Sequence, residues 1–343
     1  MRKRTRVGII GTGGVSEEHY RGYLRSGAEV FAIAEVNERL LRRRRREWEV
    51  RHAVRDFREL LQMEEVDAVS VCTPNSWHHP MTLQAAAAGK HVFCEKPIAM
   101  SLELAREMVD ACRRAGVKLQ VNHRLRASQA AARARKILAD GGVGKLTFIR
   151  LRQAHDWAGA ERVADSFGKR DQAGGGTLLD NGVHLMDLLR YFGGEVSEVF
   201  ARLATLKFDV EVEDTAVVSV RFASGALGAV ECAWTATGWE EGFWLYGTCG
   251  ALEYTNRVGR NVEPVLYHAR RDGTRHAWQC ADVDEYRFGT ENTHAQSVAA
   301  FLAAIRDDAP VLCTGEDGLE AVRLVLSAYE SAEADRPVQP GAS

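Results

Sequence analysis

Short apolar runs alternate with helical periodicity over the first third of the chain. Residues 7–10, 30–34, 66–72, 91–94 and 117–121 are continuous apolar stretches too short for helices and bounded by turn residues, so each predicts a buried strand. Between them, residues 17–24, 38–48, 78–88 and 102–115 repeat their apolar positions at helical spacing. Parallel neighbours need a helical crossover, so this alternation predicts a doubly wound parallel α/β sheet.

The period then changes. An Arg- and Ala-rich helix over 127–139 stops at Gly141-Gly142, and longer segments follow at 145–152, 198–207, 215–222, 227–234, 243–246, 251–254 and 264–269. Turn pairs such as Ser224-Gly225 and Asp272-Gly273 separate several of them, which predicts hairpins in a large, mostly antiparallel open sheet. Two apolar-periodic helices close the chain, over 293–306 and 315–333, the second introduced by the capping-box pattern Thr314-Gly-Glu-Asp317. The expected organisation is a first domain over 1–124, an α+β domain over 125–335 whose helices 293–333 return toward the first, and a loose tail at 336–343. There is no internal repeat and no low-complexity linker.

Composition narrows the class. A chain of 343 residues exceeds one comfortable hydrophobic core, and 45% apolar with 27% charged residues is the balance of a globular protein. The formal charge of −2 gives no general attraction to nucleic acid. The basic start lacks a signal-type apolar segment and no run is long enough to span a bilayer, so neither a membrane nor a nucleic-acid partner is expected, and the chain is placed in the cytoplasm. Seven cysteines, with no CxxC pair, read as buried thiols rather than a disulfide or metal framework.

The chemistry begins at the first strand–helix junction. Gly11-Thr12-Gly13-Gly14-Val15-Ser16 follows a strand and opens a helix, where Gly11 permits the turn and Gly13 lets a pyrophosphate approach the helix N-terminus; Ser16 stands where a third Gly or Ala is usual. Glu35 ends the second strand, where a carboxylate accepts from ribose hydroxyls and repels a 2′-phosphate, so NAD is expected over NADP. The Arg42 to Arg46 run on the next helix reads as a solvated face.

Three further motifs carry a resemblance. Val71-Cys-Thr73-Pro74-Asn75 ends the strand at 66–72, Cys94-Glu95-Lys96-Pro97 ends the strand at 91–94, and Gly174-Gly-Gly-Thr-Leu-Leu-Asp180-Asn-Gly-Val-His184-Leu-Met-Asp187 follows in the second domain. In this order they resemble the signatures of the Gfo/Idh/MocA oxidoreductases, and the resemblance covers nearly the whole chain. It implies NAD-dependent oxidation, or the reverse reduction, of a secondary hydroxyl on a sugar, amino sugar or cyclitol. It implies Lys96, Asp180 and His184 as catalytic residues, with Asp187 supporting them. Around the cofactor it implies Gly11, Thr12, Gly13, Gly14, Val15, Glu35, Thr73, Pro74, Asn75, His78, Glu95, Lys96 and Pro97. Which of Lys96 and His184 is the formal base stays open.

The residues alone agree with this in outline, since the C-terminal ends of parallel strands are where an open α/β sheet places its ligand crevice. The resemblance also implies His123 and Arg124, after the strand at 117–121, as substrate contacts, in a motif that departs from the family's usual Arg-Arg form; Asp156, Trp157 and Lys169, at the start of the second domain, are further candidates beside Asp180 and His184. No metal is expected, because His78, His79 and His91 lack ligand spacing. Acidic Asp156, Asp165, Asp171, Glu240 and Glu241 suit a cationic amino sugar, and the chain is similar to dehydrogenases of aminoglycoside antibiotic pathways. The alternatives are a glycosidase that oxidises its sugar transiently and a non-catalytic NAD-binding regulator. Phe243, Trp244 and Tyr246 on the large sheet suggest a homodimer or homotetramer.

Overall fold

A computed structural model of the chain describes residues 4–156, 167–258, 263–271, 280–289 and 291–341. It divides into two compact units. One runs to Ala127 and takes in Asn292–Leu319; the other holds Ser128–Glu291 and the chain from Glu320 onward.

The first unit is built on six parallel strands in the order β3-β2-β1-β4-β5-β6: β1 Arg6–Ile10, β2 Glu29–Ala34, β3 His52–Val54, β4 Ala68–Val71, β5 His91–Cys94 and β6 Leu119–Val121. The crossovers are α1 Ser16–Arg25, α2 Glu38–Glu47, α3 Phe57–Leu61, α4 His78–Ala87 and α5 Leu102–Ala115. β3 and α3 did not stand out in the apolar pattern. β3 has an exposed histidine and no fully buried residue, so as an edge strand it lacks the run that marks its neighbours. Caps fix several helix starts: Asn37 and Ser101 accept from Leu40 and Leu104 N–H. The order reverses between β1 and β4, which puts the ligand crevice of such a sheet at the ends of those two strands.

A helix from late in the chain completes this core. α9 Thr293–Arg306 contributes Val298, Phe301 and Leu302 to the cluster of Val7, Ile9, Tyr23 and Phe93, and the Phe301 and Phe93 rings stack with centroids 5.2 Å apart. Burial of this apolar stripe thus places α9 in the first unit despite its distance along the chain.

The second unit holds α6 Gln129–Ala139, the short turn α7 Arg170–Ala173, α8 Val183–Gly193 and eight strands in the order β14-β13-β12-β11-β7-β10-β9-β8. These are β7 Leu146–His155, β8 Val196–Ala204, β9 Thr215–Phe222, β10 Leu227–Ala233, β11 Trp239–Gly247, β12 Gly250–Val258, β13 Val265–Arg271 and β14 Cys280–Arg287. All neighbours are antiparallel except β7 with β10. Ile149, Leu151, Phe243 and Leu245 turn to the buried face, where Leu185, Leu189 and Phe192 of α8 are also buried. α10 Gly315–Ala334 begins with the expected capping box, Thr314 and Asp317 exchanging hydrogen bonds at 3.0 and 3.1 Å. The tail was expected to be loose, yet within its described part, 336–341, buried Val338 exchanges backbone hydrogen bonds with Val199 of β8 at 2.8 and 2.9 Å. No described helix is long and apolar enough to cross a membrane.

Phe301→Ala is expected to remove about 3–5 kcal/mol of stability from the first unit. Denaturant unfolding checks this, and an unchanged first transition would show that α9 does not belong to that core.

Candidate functional site

The first unit presents its functional groups at the C-terminal ends of β1, β4, β5 and β6. Gly11 turns with φ +84°, and a Cβ there would meet the Cys72 carbonyl oxygen at 2.8 Å, so only glycine fits. A Cβ on Gly13 would meet nothing within 4 Å, and no side chain caps α1. Open space at Gly13 and uncapped N–H groups beyond it suit a pyrophosphate, so the turn fits the dinucleotide the motif implies. Ser16 is buried and its hydroxyl donates to the Gly13 carbonyl at 2.6 Å, bracing the turn where a third Gly or Ala is usual.

Glu35 holds the same turn. The Thr12 N–H and hydroxyl donate to its Oε2 at 2.8 and 3.0 Å, and the Asn37 N–H donates to Oε1 at 2.9 Å. A carboxylate has about four acceptor sites, so Oε1 keeps capacity for a ribose hydroxyl. The Arg run is not wholly a solvated face: Arg44 lies over Trp48, bonds Glu17 at 2.8 Å and donates to the Thr12 carbonyl at 3.3 Å. Arg42 and Arg43 pair with Glu38 and Glu47 on the helix surface, as expected.

Behind Lys96 lies a buried polar network. Tyr23 and Ser70 hydroxyls stand 2.6 Å apart, Ser70 Oγ is 3.0 Å from His19 Nδ1, and His19 Nε2 is 2.7 Å from Glu95 Oε1. Donation from Tyr23 to Ser70 to His19, and from His19 Nε2–H to Glu95, uses every donor, and we assign that direction. The Asn122 amide donates to Glu95 Oε1 at 2.6 Å and to His294 Nδ1 at 3.1 Å, while the Lys96 N–H donates to Glu95 Oε2 at 3.2 Å. Burial pushes the Glu95 carboxyl up, but His19, His294 and Asn122 outweigh it and hold Glu95 well below the usual carboxylate range. Burial and the Arg124 guanidinium push His294 down to about 3. His19, Glu95 and His294 bring ligand-type atoms within 4.8 Å of one another, and hydrogen bonds already use them.

Two residues expected at the ligand face inward. His78 is wholly buried, its ring nitrogens 2.7 Å from the Pro97 carbonyl oxygen and 3.0 Å from that of Thr73. It therefore sits between the Thr73-Pro74-Asn75 loop and the Glu95-Lys96-Pro97 segment; burial pushes its pKa down against the pull of those carbonyls, and the neutral imidazole, with one N–H, donates to one of them. His123 is buried just beyond β6, whereas Arg124 is partly exposed with its guanidinium 3.4 Å from the Thr293 hydroxyl.

In the second unit a π-type turn, Leu178–Gly182, carries the expected Asp180 and runs into α8, which carries His184 and Asp187, all three buried. The indole N–H of Trp234, at the end of β10, donates to Asp180 Oδ2 at 3.2 Å. His155 Nε2 lies 3.1 Å from Asn181 Oδ1, and its ring stacks on Trp239 at 4.2 Å. Strand register places Gln153 of β7, Glu241 of β11 and Asn256 of β12 in one row. Both amides donate to Glu241, at 3.1 and 3.3 Å. The buried face thus changes from apolar to polar toward the end that adjoins Asn181.

The acidic residues expected to meet a cationic sugar are largely occupied. Asp156 pairs with Lys207 at 2.6 Å, Glu240 with Arg257 at 3.4 Å and Arg152 at 3.8 Å, and Glu241 accepts the amides above. Lys169 is exposed, and Trp157 and Asp165 lie outside the described residues. Trp244 stacks under Arg150 at 4.8 Å on the outer sheet face, away from this row. Sequence reasoning missed His19, His294, Trp234 and Glu213. Each is a lone polar or aromatic residue, Glu213 in the connection between β8 and β9 and Trp234 just past β10, and only His19, on the inner stripe of α1, carried a periodicity signal.

A parallel sheet with a dinucleotide turn, joined to a second unit carrying a buried Asp/His pair, defines a nicotinamide-dependent oxidoreductase architecture. Residues 5–123 match the Gfo/Idh/MocA oxidoreductase family, NAD-binding Rossmann fold, and residues 131–253 match its C-terminal domain, so the chain belongs to that family. It is 34% identical to a 1,5-anhydro-D-fructose reductase of Ensifer adhaerens over 95% of this chain and 96% of that protein. It is 30% identical to a myo-inositol 2-dehydrogenase of Thermotoga maritima, over 97% and 98%. A structure of levoglucosan dehydrogenase in complex with NADH and levoglucosan superposes with a TM-score of 0.90 at 26% identity, covering 99% of this chain and 100% of that one.

The network predicts a pH effect on stability. An unfolded histidine takes up its proton near pH 6.5, whereas folded His294 does so only near 3, so the unfolded state binds more protons in between. Stability should fall on acidification below about pH 6.5, by up to about 1.4 kcal/mol per pH unit for this residue, with buried His78 adding in the same direction. Denaturant titrations between about pH 7 and pH 5 check this. His294→Gln should flatten the slope, and an identical slope would contradict the assignment.

Proposed function

We propose that the chain oxidises a secondary hydroxyl of a neutral sugar or cyclitol, or reduces the corresponding ketone, with NAD as its partner. The observation that carries this is the Asp180–His184 segment, buried with Asp180 fixed by the Trp234 indole N–H. In the oxidation direction His184 accepts the hydroxyl proton and Asp180 orients it and stabilises the imidazolium. The Lys96 ammonium donates a hydrogen bond to the substrate oxygen and favours developing alkoxide character. When bound, the nicotinamide supplies the acceptor for hydride from the same carbon. Gly13 and the start of α1 would hold its pyrophosphate, and Glu35 its ribose.

Gln153, Glu241 and Asn256 offer amide and carboxylate groups to hydroxyls, and Trp239 offers an aromatic face, the chemistry of a polyol site. With Asp156 and Glu240 paired to cations, this supports a neutral ligand over an aminoglycoside. On the outer face of the large sheet, exposed Val217, Leu227, Tyr246, Tyr267 and Val283 support assembly as a homodimer or homotetramer.

NADH formation across inositols, neutral sugars, amino sugars and aminoglycosides, with NAD and separately NADP, is the test. NAD-linked turnover of a neutral member is expected. Lys96→Ala and His184→Ala should each lower turnover by about 100-fold or more while still binding NAD. Full turnover in either variant would overturn the assignment, and efficient turnover of aminoglycosides alone would overturn the substrate class.

A further inference from the structure

Asp180 is anchored through one dipeptide, Glu213-Asp214, which lies between β8 and β9 and outside every motif above. The Glu213 carboxylate is buried and takes the place of a helix cap. The Gly176 N–H lies 3.1 Å from both its oxygens, and the Leu178 N–H and the Tyr329 hydroxyl donate to Oε1, each at 2.9 Å. The Glu213 main chain takes part too, its carbonyl accepting the Thr177 N–H at 2.8 Å. Gly176 in turn supplies the carbonyl that accepts the Asp180 N–H at 2.9 Å. A side chain is excluded here: a Cβ on Gly176 would collide with the Glu213 backbone, and one on Gly175 with the Tyr329 hydroxyl.

The next residue reaches Asp180 from the other side. The Asp214 carbonyl accepts the Trp234 N–H at 2.8 Å, and the Trp234 indole holds Asp180 Oδ2. The Asp214 carboxylate is itself gripped by the Leu206, Lys207 and Phe208 N–H groups at 2.7 to 3.1 Å. One end of the dipeptide thus sets the backbone of Asp180 and the other sets its carboxylate. We propose that Glu213, braced by Tyr329, is a positioning residue that fixes where the Asp180 carboxylate stands. The inference rests on the reading of Asp180 as catalytic. It adds a residue whose side chain acts on the reaction only through the helix start.

The test uses the full-length enzyme and two readouts. The first is the indole N–H resonance of Trp234, identified by its loss in Trp234→Phe. Glu213→Gln should move it toward its position in Asp180→Asn, because whichever way the amide turns, its NH2 faces the Gly176 N–H. Tyr329→Phe should move it the same way by less, and serves if the first variant fails to fold. The second is turnover of a sugar or cyclitol that the wild type oxidises. Here kcat should fall about 10- to 100-fold with KM little changed, since a small misplacement costs that much. An unmoved resonance, or lower thermal stability with kcat intact, would overturn the proposal. Full turnover in Asp180→Asn would instead overturn the catalytic reading, leaving the resonance to decide the brace alone.

Discussion

The Glu95 carboxylate, sealed under the crevice of the parallel sheet, is the interaction on which the first unit's chemistry turns. An isolated carboxylate in that place would cost several kcal/mol or give up its charge. Here His19 from α1, Asn122 from the end of β6 and the Lys96 N–H share its two oxygens, with His294 of α9 behind Asn122. Four separate pieces of chain must therefore be in register before Lys96 can take its place. This explains why a helix from beyond residue 291 belongs to a core otherwise complete by residue 127.

The same physical device recurs. Glu35 fixes the Thr12 turn, Glu95 fixes the start of Lys96, and Glu213 fixes the start of the Asp180 segment, each by accepting backbone N–H groups that have no ladder partner. A carboxylate suits this task because it accepts several hydrogen bonds at once without supplying a donor that must itself be matched. The result is a set of short junctions that are rigid without being regular secondary structure, which is what a hydride-transfer geometry needs from loops.

The elements that were legible in the sequence are those whose burial is one-sided or complete. β1, β2, β4 and β5 announced themselves as apolar runs, and β9 by alternation so regular that its bounds were read to the residue. β3 was silent because an edge strand with no fully buried residue lacks an apolar run, and α3 because five residues, although Phe57, Leu60 and Leu61 are buried, are too few to show a helical period. The catalytic candidates were legible because glycine turns, the Lys96-Pro97 junction and the Asp180-to-His184 spacing are local. Their supports were not. Glu213, Trp234 and His294 act across 35, 54 and 172 residues of sequence, and nothing in their neighbours distinguishes them from ordinary surface or core positions. His78, implied at the cofactor by the resemblance, opens α4 with its ring turned inward between two backbone carbonyls, which nothing local in the sequence signals.

The central claim is direct transfer of hydride from a carbinol carbon to NAD with net oxidation. The most direct measurement carries deuterium on the reacting carbon of whichever sugar or cyclitol is oxidised and follows the label by mass spectrometry. One deuterium is expected in each NADH formed and none retained in the ketone. Label returned to a product with no NADH accumulating, or lost to water, would contradict it.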